Sequence, residues 1–438
     1  MKICHFFAKL CGAVFIIRTF FVPTEPLVAQ PVQQSESAGV GQEESLPSLV
    51  EVLLINNQKI QAAKAKILAS KERIIIAKSW SDPMLGFMVV PNPTEEMEMI
   101  VGAKNIEVSQ MIPLGNKDKQ AGRMATTRVE MDKAQFQVVV FDQLEALKTA
   151  YEEVSYLDDA VNIIEENRQI LDQISGMTIA RSSTPAILSE IQRIQSQLSQ
   201  IGFDTSLLKE LRIAEQARVN ALLNRPIEQP LAVIPICEIT APVASFVNVL
   251  KQLGETHPDL RMASLAIQMA KQEKSMARKE RIPDVTVGYS QQRDRNWKVD
   301  FRGDTYKIDL NLPLWGSKNR ARIKEAGFKA SEAEAELTAT RQNLSSDITA
   351  QYVRIQNLWR TIRIYEDSLL PQSKHALENA QANRSKVSEI LPEALEAQAV
   401  WLNFRLAHRR ALADYRQANA RLDTLIGKAP EVREEKSE

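Results

Sequence analysis

Hydrophobic and polar positions follow two different periods along this chain. From Tyr306 to Leu312 they alternate: Tyr306, Ile308, Leu310 and Leu312 fall on one side of an extended segment, and Lys307, Asp309 and Asn311 on the other. A period of two predicts a strand with one apolar face. After Pro313 the period lengthens. Ile348, Ile355, Ile362 and Leu369 recur at steps of seven, with Leu344, Leu358 and Tyr365 on the companion seam. That spacing predicts a coiled-coil helix. The helix should run from Asn319 to about Asn383, and roughly 60 residues at about 1.5 Å each give a rod of about 90 Å. Pro371 is the one proline inside it; costing about 3 kcal/mol in a helix interior, it marks either a bend or a boundary.

The same scheme occurs twice. Pro83 in "SDPMLGFMVV" corresponds to Pro283 in "IPDVTVGYSQ", and Pro113 in "VSQMIPLGNK" to Pro313 in "IDLNLPLWGSK". The offset is 200 in each case, and it also sets Asn57 against His257 and Ile60 against Leu260. Several landmarks at one offset indicate an internal duplication. Each half reads as helix, strand, loop, strand, very long helix, turn, helix. Strands are expected at about 83–91 and 100–112, and again at about 283–291 and 304–313. In "DVTVGYS", Val285, Val287 and Tyr289 oppose Thr286, Gly288 and Ser290; in "IEVSQMI", Ile106, Val108 and Ile112 oppose Glu107 and Ser109, while Gln110 interrupts the apolar face. The polar stretches "NPTEEMEM" and "QQRDRNWKVDFRGD" are expected as exposed hairpin ends, the first stopped by Pro91 and Pro93. The first long helix should run from Lys117 to Ser175 and break at Gly176 and near Pro185. Return helices are expected over 186–223 and 387–426, the latter stopped by Gly427.

Composition narrows the setting. The 438 residues carry 55 basic and 55 acidic side chains, so no positive field suggests nucleic acid as a partner. Residues 1–29, with Lys2, Lys9, the apolar run Leu10–Ile17 and a small residue at Ala29, read as a secretory signal. Residues 30–47 read as a flexible leader and 428–438 as a flexible tail. The proline-rich segment 224–247 joins the two repeats, 48–223 and 248–427. Of the three cysteines, Cys4 and Cys11 lie in the signal and Cys237 stands alone, so no disulfide framework is expected. No catalytic, cofactor or metal site is expected: His257, His375 and His408 lack a ligand spacing, and His257, ahead of Pro258, suits a helix cap. Met84, Met88, Met97, Met99 and Met111 surround the first strand pair. Thioethers can hold soft ions such as Cu(I), but they also fill apolar surface.

Four alternating strands per chain cannot close a barrel, and strands cross a membrane only in closed barrels. Several chains would have to pool their strands. The blocks "ETHPDLRMASLAIQMAKQEKSMARKERIPDVTVGY", "YKIDLNLPLWGSKNRARIKEA" and "VSEILPEALEAQAVWLNFRLAHRRALADYRQANARLDTLIG" resemble the signature blocks of TolC-like outer membrane efflux proteins, from about residue 47 to 427. Within that family the chain is most similar to the branch serving heavy-metal cation efflux.

The resemblance implies an α+β membrane protein and a homotrimer. Each chain would give four strands to a 12-stranded transmembrane β-barrel in the outer membrane of a Gram-negative bacterium, continued by a long α-helical periplasmic barrel. Partners would be outer membrane lipid, a periplasmic adaptor and, through it, an inner-membrane pump of the resistance-nodulation-division type. Pro113, Gly115, Pro313, Trp315 and Gly316 would sit where barrel meets tunnel. Gly176, Met177, Thr178, Arg384, Ser385 and Val387 would form the periplasmic tip that meets the adaptor, with Asp172 and Glu389 as candidate gate acids. Asn383-Arg384-Ser385 departs from the family pattern in lacking a glycine. Drug efflux and type I protein secretion share this duct design, and an exported coiled-coil structural protein is the non-channel alternative.

Overall fold

The structure is a computed structural model that describes residues 45–90, 103–179, 185–231, 241–242, 246, 257–296, 299–382 and 387–428. Helices α1 (Leu46–Asn56) and α2 (Gln58–Lys78) lead into β1 (Met84–Val90) and β2 (Ala103–Ile112), followed by α3 (Lys117–Ile179) and α4 (Pro185–Leu222). The second half repeats the order with α5 (Pro258–Lys279), β3 (Asp284–Asn296) and β4 (Val299–Asn311). A rod then runs through α6 (Gly316–Ile364), a π-helical turn (Tyr365–Leu369) and α7 (Leu370–Ala382), and α8 (Val387–Leu425) returns. The strands form one antiparallel sheet in the order β1-β2-β3-β4.

The two halves share helix-end chemistry as well as order. The Asn57 side-chain oxygen accepts from the backbone N–H groups of Lys59 (3.0 Å) and Ile60 (3.1 Å), starting α2. At the equivalent place, His257 Nδ1 accepts from the Asp259 N–H at 3.3 Å and starts α5, with Pro258 where no donor is needed. Each cap also meets the end of its own return helix. Asn57 Nδ2 donates to the Leu222 carbonyl at 2.8 Å, and the His257 ring lies beside Gly427, where an added Cβ would stand 3.2 Å from its Cδ2. Those return helices stop alike, on left-handed residues: Asn224 (φ 55°) after α4 and Gly427 (φ 68°) after α8. Arg225 N–H bonds the Asn220 carbonyl and Lys428 N–H the Asp423 carbonyl, the same C-cap twice.

Packing follows the heptads. Ile348, Ile355 and Ile362 of α6 are buried against Leu412, Tyr415, Ala418 and Leu422 of α8. In the first half, Leu49, Leu53, Ile60, Leu147, Val154, Val219 and Leu223 knit α1, α2, α3 and α4 together.

Several boundaries differ from the sequence reading. Helix α1 starts at Leu46, inside the expected leader. Gly176 does not break α3, which continues to Ile179 over 63 residues; one glycine costs only about 1 kcal/mol, little against the packing of so long a helix. Strands β3 and β4 extend past the expected hairpin, pairing from Asp284↔Asn311 to Asn296↔Val299, because a backbone ladder needs no apolar alternation to continue. Before Pro371 the rod widens into the π turn, which accommodates a residue that lacks an N–H and crowds the carbonyl one turn back. The stretch "NPTEEMEM", Cys237, Arg384 and Ser385 lie outside the described residues.

Candidate functional site

The register assigns every strand residue to a face. One face stacks Leu85–Val108–Tyr289–Tyr306 across the four strands, with Phe87–Ile106 beyond it and Val287–Ile308 and Ile112–Val285–Leu310 below it. These side chains are exposed: Phe87 by 71%, Ile308 by 71% and Leu310 by 55%. An apolar face left open on an isolated chain points to contact with something apolar. From the row of Phe87 to that of Leu312 is about eight residues, so at about 3.4 Å per residue and a tilt of about 40° the band is about 21 Å tall. Transmembrane barrels carry an apolar band of about 25 Å. Tyr289 and Tyr306, with ring centroids 5.4 Å apart, mark one rim. The exposed Trp80 and Trp315 mark the other, as interfacial aromatics do. Among the described residues no helix is long and apolar enough to cross a membrane.

The opposite face is polar. Lys307 Nζ lies 3.6 Å from Glu107 and 3.1 Å from Asp309, with Gly288 on the strand between Glu107 and Lys307. Gln110, the polar residue that interrupts the apolar face, donates from Nε2 to the Ser81 carbonyl at 2.7 Å. It ties the foot of β2 to the chain entering β1.

Where β2 turns into α3 the chain passes through Pro113, Gly115 (φ 76°) and Asn116 (φ 56°). A Cβ on Gly115 would stand 2.5 Å from Ile282 Cδ1, so glycine is required there for conformation and for space. Asp284, at the start of β3, accepts from the Leu114 N–H (3.3 Å) and Lys117 Nζ (2.8 Å), and Lys117 also donates to the Ile282 carbonyl (2.7 Å). Both charged side chains are mostly covered. This clamp joins the first half to the second. The other junction differs: Pro313 leads into Leu314 and Trp315, exposed by 79% and 74%, and a Cβ on Gly316 would meet nothing.

Below the sheet, α3 and α8 meet along a charged seam. Arg416 pairs with Glu152 (3.1 Å), Arg410 with Glu153 (2.7 Å), Arg409 with Asp159 (3.7 Å), Arg405 with Glu166 (2.7 Å), and Lys148 with Asp423 (3.6 Å). Burial pushes the Glu152 and Asp159 carboxyls up, and Arg416 and Arg409 respectively oppose it. On the other side of α8, His408 Nε2 lies 3.3 Å from Glu366 Oε1 of the π turn, and burial holds the imidazole below its ordinary value.

The family described as "Outer membrane efflux protein" matches residues 249–428. The second repeat therefore carries an outer membrane efflux protein domain. The fold extends the likeness beyond those residues. The outer-membrane channel OprN superposes with a TM-score of 0.73 at 14% identity, covering 88% of this chain and 90% of that one. CusC gives 0.73 at 13%, covering 89% and 96%. The MtrE channel of Neisseria gonorrhoeae, in its open state, gives 0.72 at 15%, covering 87% and 88%. No curated protein matches the sequence.

In this chain the junction residues Pro113, Gly115, Pro313, Trp315 and Gly316 all lie at the foot of the sheet, where strands become helices. At the far end of the rods, Gly176, Met177 and Thr178 belong to the last turns of α3, and Val387 and Glu389 to the first turn of α8. Asp172 is exposed on α3, 3.9 Å from Arg168 one turn earlier. Met84, Met88 and Met111 fall on the polar face of the sheet; Met97 and Met99 lie outside the described residues. Sequence reasoning missed Lys117, Ile282 and Asp284 at the junction, and missed the seam. The arginines of "RLAHRRALADYR" on one helix and the acids of "EEVSYLDD" on another were the available signal for the seam.

Proposed function

We propose that this chain is an outer membrane factor of the TolC-like kind, the exit duct of a tripartite efflux system. Three copies pool four strands each into a 12-stranded barrel, the rods continue it as a tunnel into the periplasm, and the far end docks a periplasmic adaptor coupled to an inner-membrane resistance-nodulation-division pump. The observation that carries this reading is the sheet: an exposed apolar face, a polar reverse face, and edge strands β1 and β4 that have no partner among the described residues. Unpaired edges in hydrocarbon would leave backbone groups unsatisfied, so a membrane sheet must close. The tip residues Gly176, Met177, Thr178, Arg384, Ser385 and Val387 are assigned to adaptor contact, and Asp172 and Glu389 to the gate.

Heavy-metal cations are the cargo assigned first, on the resemblance to the heavy-metal branch of the family. Drug efflux is the alternative. Purified protein in mild detergent should run as a trimer that collapses on boiling, and should give unitary currents in a planar bilayer. A monomer without currents would end the duct reading. Loss of the gene should sensitise cells to copper or silver salts; sensitisation to dyes and detergents alone would reassign the cargo.

A further inference from the structure

The duplication fixes how one copy should join the next, given the three-copy barrel proposed above. Inside the chain, the boundary between repeats is β2 against β3, with Ile112↔Val285, Val108↔Tyr289 and Lys104↔Arg293. Closing a ring of copies requires the same boundary between the end of one chain's second repeat and the start of its neighbour's first, that is, β4 against β1. Moving each partner by the offset of 200 turns Ile112↔Val285 into Leu312↔Leu85. It likewise pairs Leu310 with Phe87 and Ile308 with Val89.

We infer that β4 of one copy pairs antiparallel with β1 of a second copy in this register, and that Leu314 and Trp315 seat on the second copy's Trp80–Pro83 segment. Two independent features agree with it. First, Leu85, Phe87, Val89, Ile308 and Leu310 are exposed apolar side chains on the apolar face, and Leu312, exposed just past the end of β4, continues their alternation. On the reverse face the same register sets Asn311 opposite Gly86 and Asp309 opposite Met88. A slip of one residue would set the apolar face of β4 against the polar face of β1.

Second, the junctions are complementary in size. In the contact already present, Gly115 makes room for Ile282. At the equivalent positions the large residue is Trp315 and the smaller one Asp82, so bulk has moved to the other partner. Leu314, Trp315 and Trp80 are all exposed, by 79%, 74% and 54%.

The hairpin registers set the precision needed in a test. Met84 pairs with Ser109 but Asp284 with Asn311, so the two hairpins differ by two residues and neighbouring registers of the same facing must be discriminated. In a Cys237→Ser background, Asn311→Cys should be combined separately with Gly86→Cys, Met84→Cys and Met88→Cys. A Cβ at Gly86 meets only Glu107 atoms at 3.8 Å or more, so cysteine fits there. Oxidation of the assembled protein, then boiling and non-reducing electrophoresis, should give covalent multimers at least fivefold more with Gly86→Cys than with either alternative. Each single cysteine should give none. A trimer that crosslinks best through Met84 or Met88, or through none of the three, overturns the register while leaving the barrel standing. Protein that is monomeric before oxidation overturns the barrel reading itself.

Discussion

Ile308 gives the sharpest test of which face meets lipid. It sits opposite Val287 near the middle of the apolar band and is exposed by 71%, so Ile308→Arg places a charge near the depth where burial in hydrocarbon is most costly. Arginine near the midplane on the lipid face of a barrel costs about 2–4 kcal/mol, which at about 1.4 kcal/mol per factor of ten is roughly 30- to 700-fold per chain. Three chains carry the change together, so an assembly loses about 6–12 kcal/mol on the same basis. Thr286→Arg is the matched control. It adds the same charge on the polar face, opposite Asp309, where water and a carboxylate receive it. The measurement is the fraction of outer-membrane protein that runs as a boiling-sensitive trimer, with whole-cell levels checked separately. Ile308→Arg should abolish that band and Thr286→Arg should leave it near wild type. Equal yields, or a larger loss with Thr286→Arg, would reverse the facing and with it the assignment of a lumen.

Three further outcomes test the parts that hold the fold. Asn57→Ala removes both the cap of α2 and the amide bond to the Leu222 carbonyl and should cost about 1–3 kcal/mol in urea unfolding; Asn57→Ser, which keeps a capping oxygen, should recover part of it, and equal losses would remove the cap from the account. Gly115→Ala should destabilise by about 1–3 kcal/mol. Adding Ile282→Ala should relieve the clash but not the left-handed backbone, so full recovery would show that φ there is unimportant. Burial is the first cause holding the His257 and His408 imidazoles below their ordinary value of 6.5, so the folded chain prefers them neutral. Their contribution is complete above that value and is lost as pH falls through it toward the lowered values. The urea midpoint should therefore fall between pH 7.5 and 5.5, and fall less when both are replaced by glutamine; an unchanged midpoint in wild type would refute the linkage.

What could be read in advance was what repeats. Period two placed the strand faces, period seven placed the coil core at Ile348, Ile355 and Ile362, and the offset of 200 matched Asn57 with His257, which cap equivalent helices. The misreadings share a cause: a local feature was weighed without its tertiary partner. Gln110 looked like a defect in an apolar face until the Ser81 carbonyl supplied its partner. Gly176 looked like a helix stop, yet the helix carries past it. Pro371 left two readings open, and the structure answers with a wider turn that keeps the rod running. The Lys117–Asp284 clamp joins residues 167 apart in sequence, and no spacing rule reaches across α3, α4 and α5 to suggest it.

The distribution of apolar and charged contacts also decides which parts of the helical body can shift. Within the α6–α8 pair, fully buried isoleucines hold the helices, at about 1.5–3 kcal/mol each. Along the α3–α8 seam most of the ion pairs are partly exposed: Arg405 and Glu166 by 23% and 56%, Lys148 and Asp423 by 31% and 38%. Such pairs contribute about 0–1 kcal/mol, and a sliding helix can exchange one carboxylate for the next. The seam changes character beyond Glu166. There Leu395 of α8 is buried with Ile164, Leu171 and Ile194, and Gln398 Nε2 donates to Asn167 Oδ1 at 2.9 Å in a pair almost sealed from solvent. Parting the helices at that level would expose Leu395, at about 1.5–3 kcal/mol, and break the Gln398–Asn167 hydrogen bond, at about 0.5–1.5 kcal/mol. The cluster around Leu395 and Gln398, rather than the five ion pairs above it, sets the resistance to separation at the end of the rods where the tip lies.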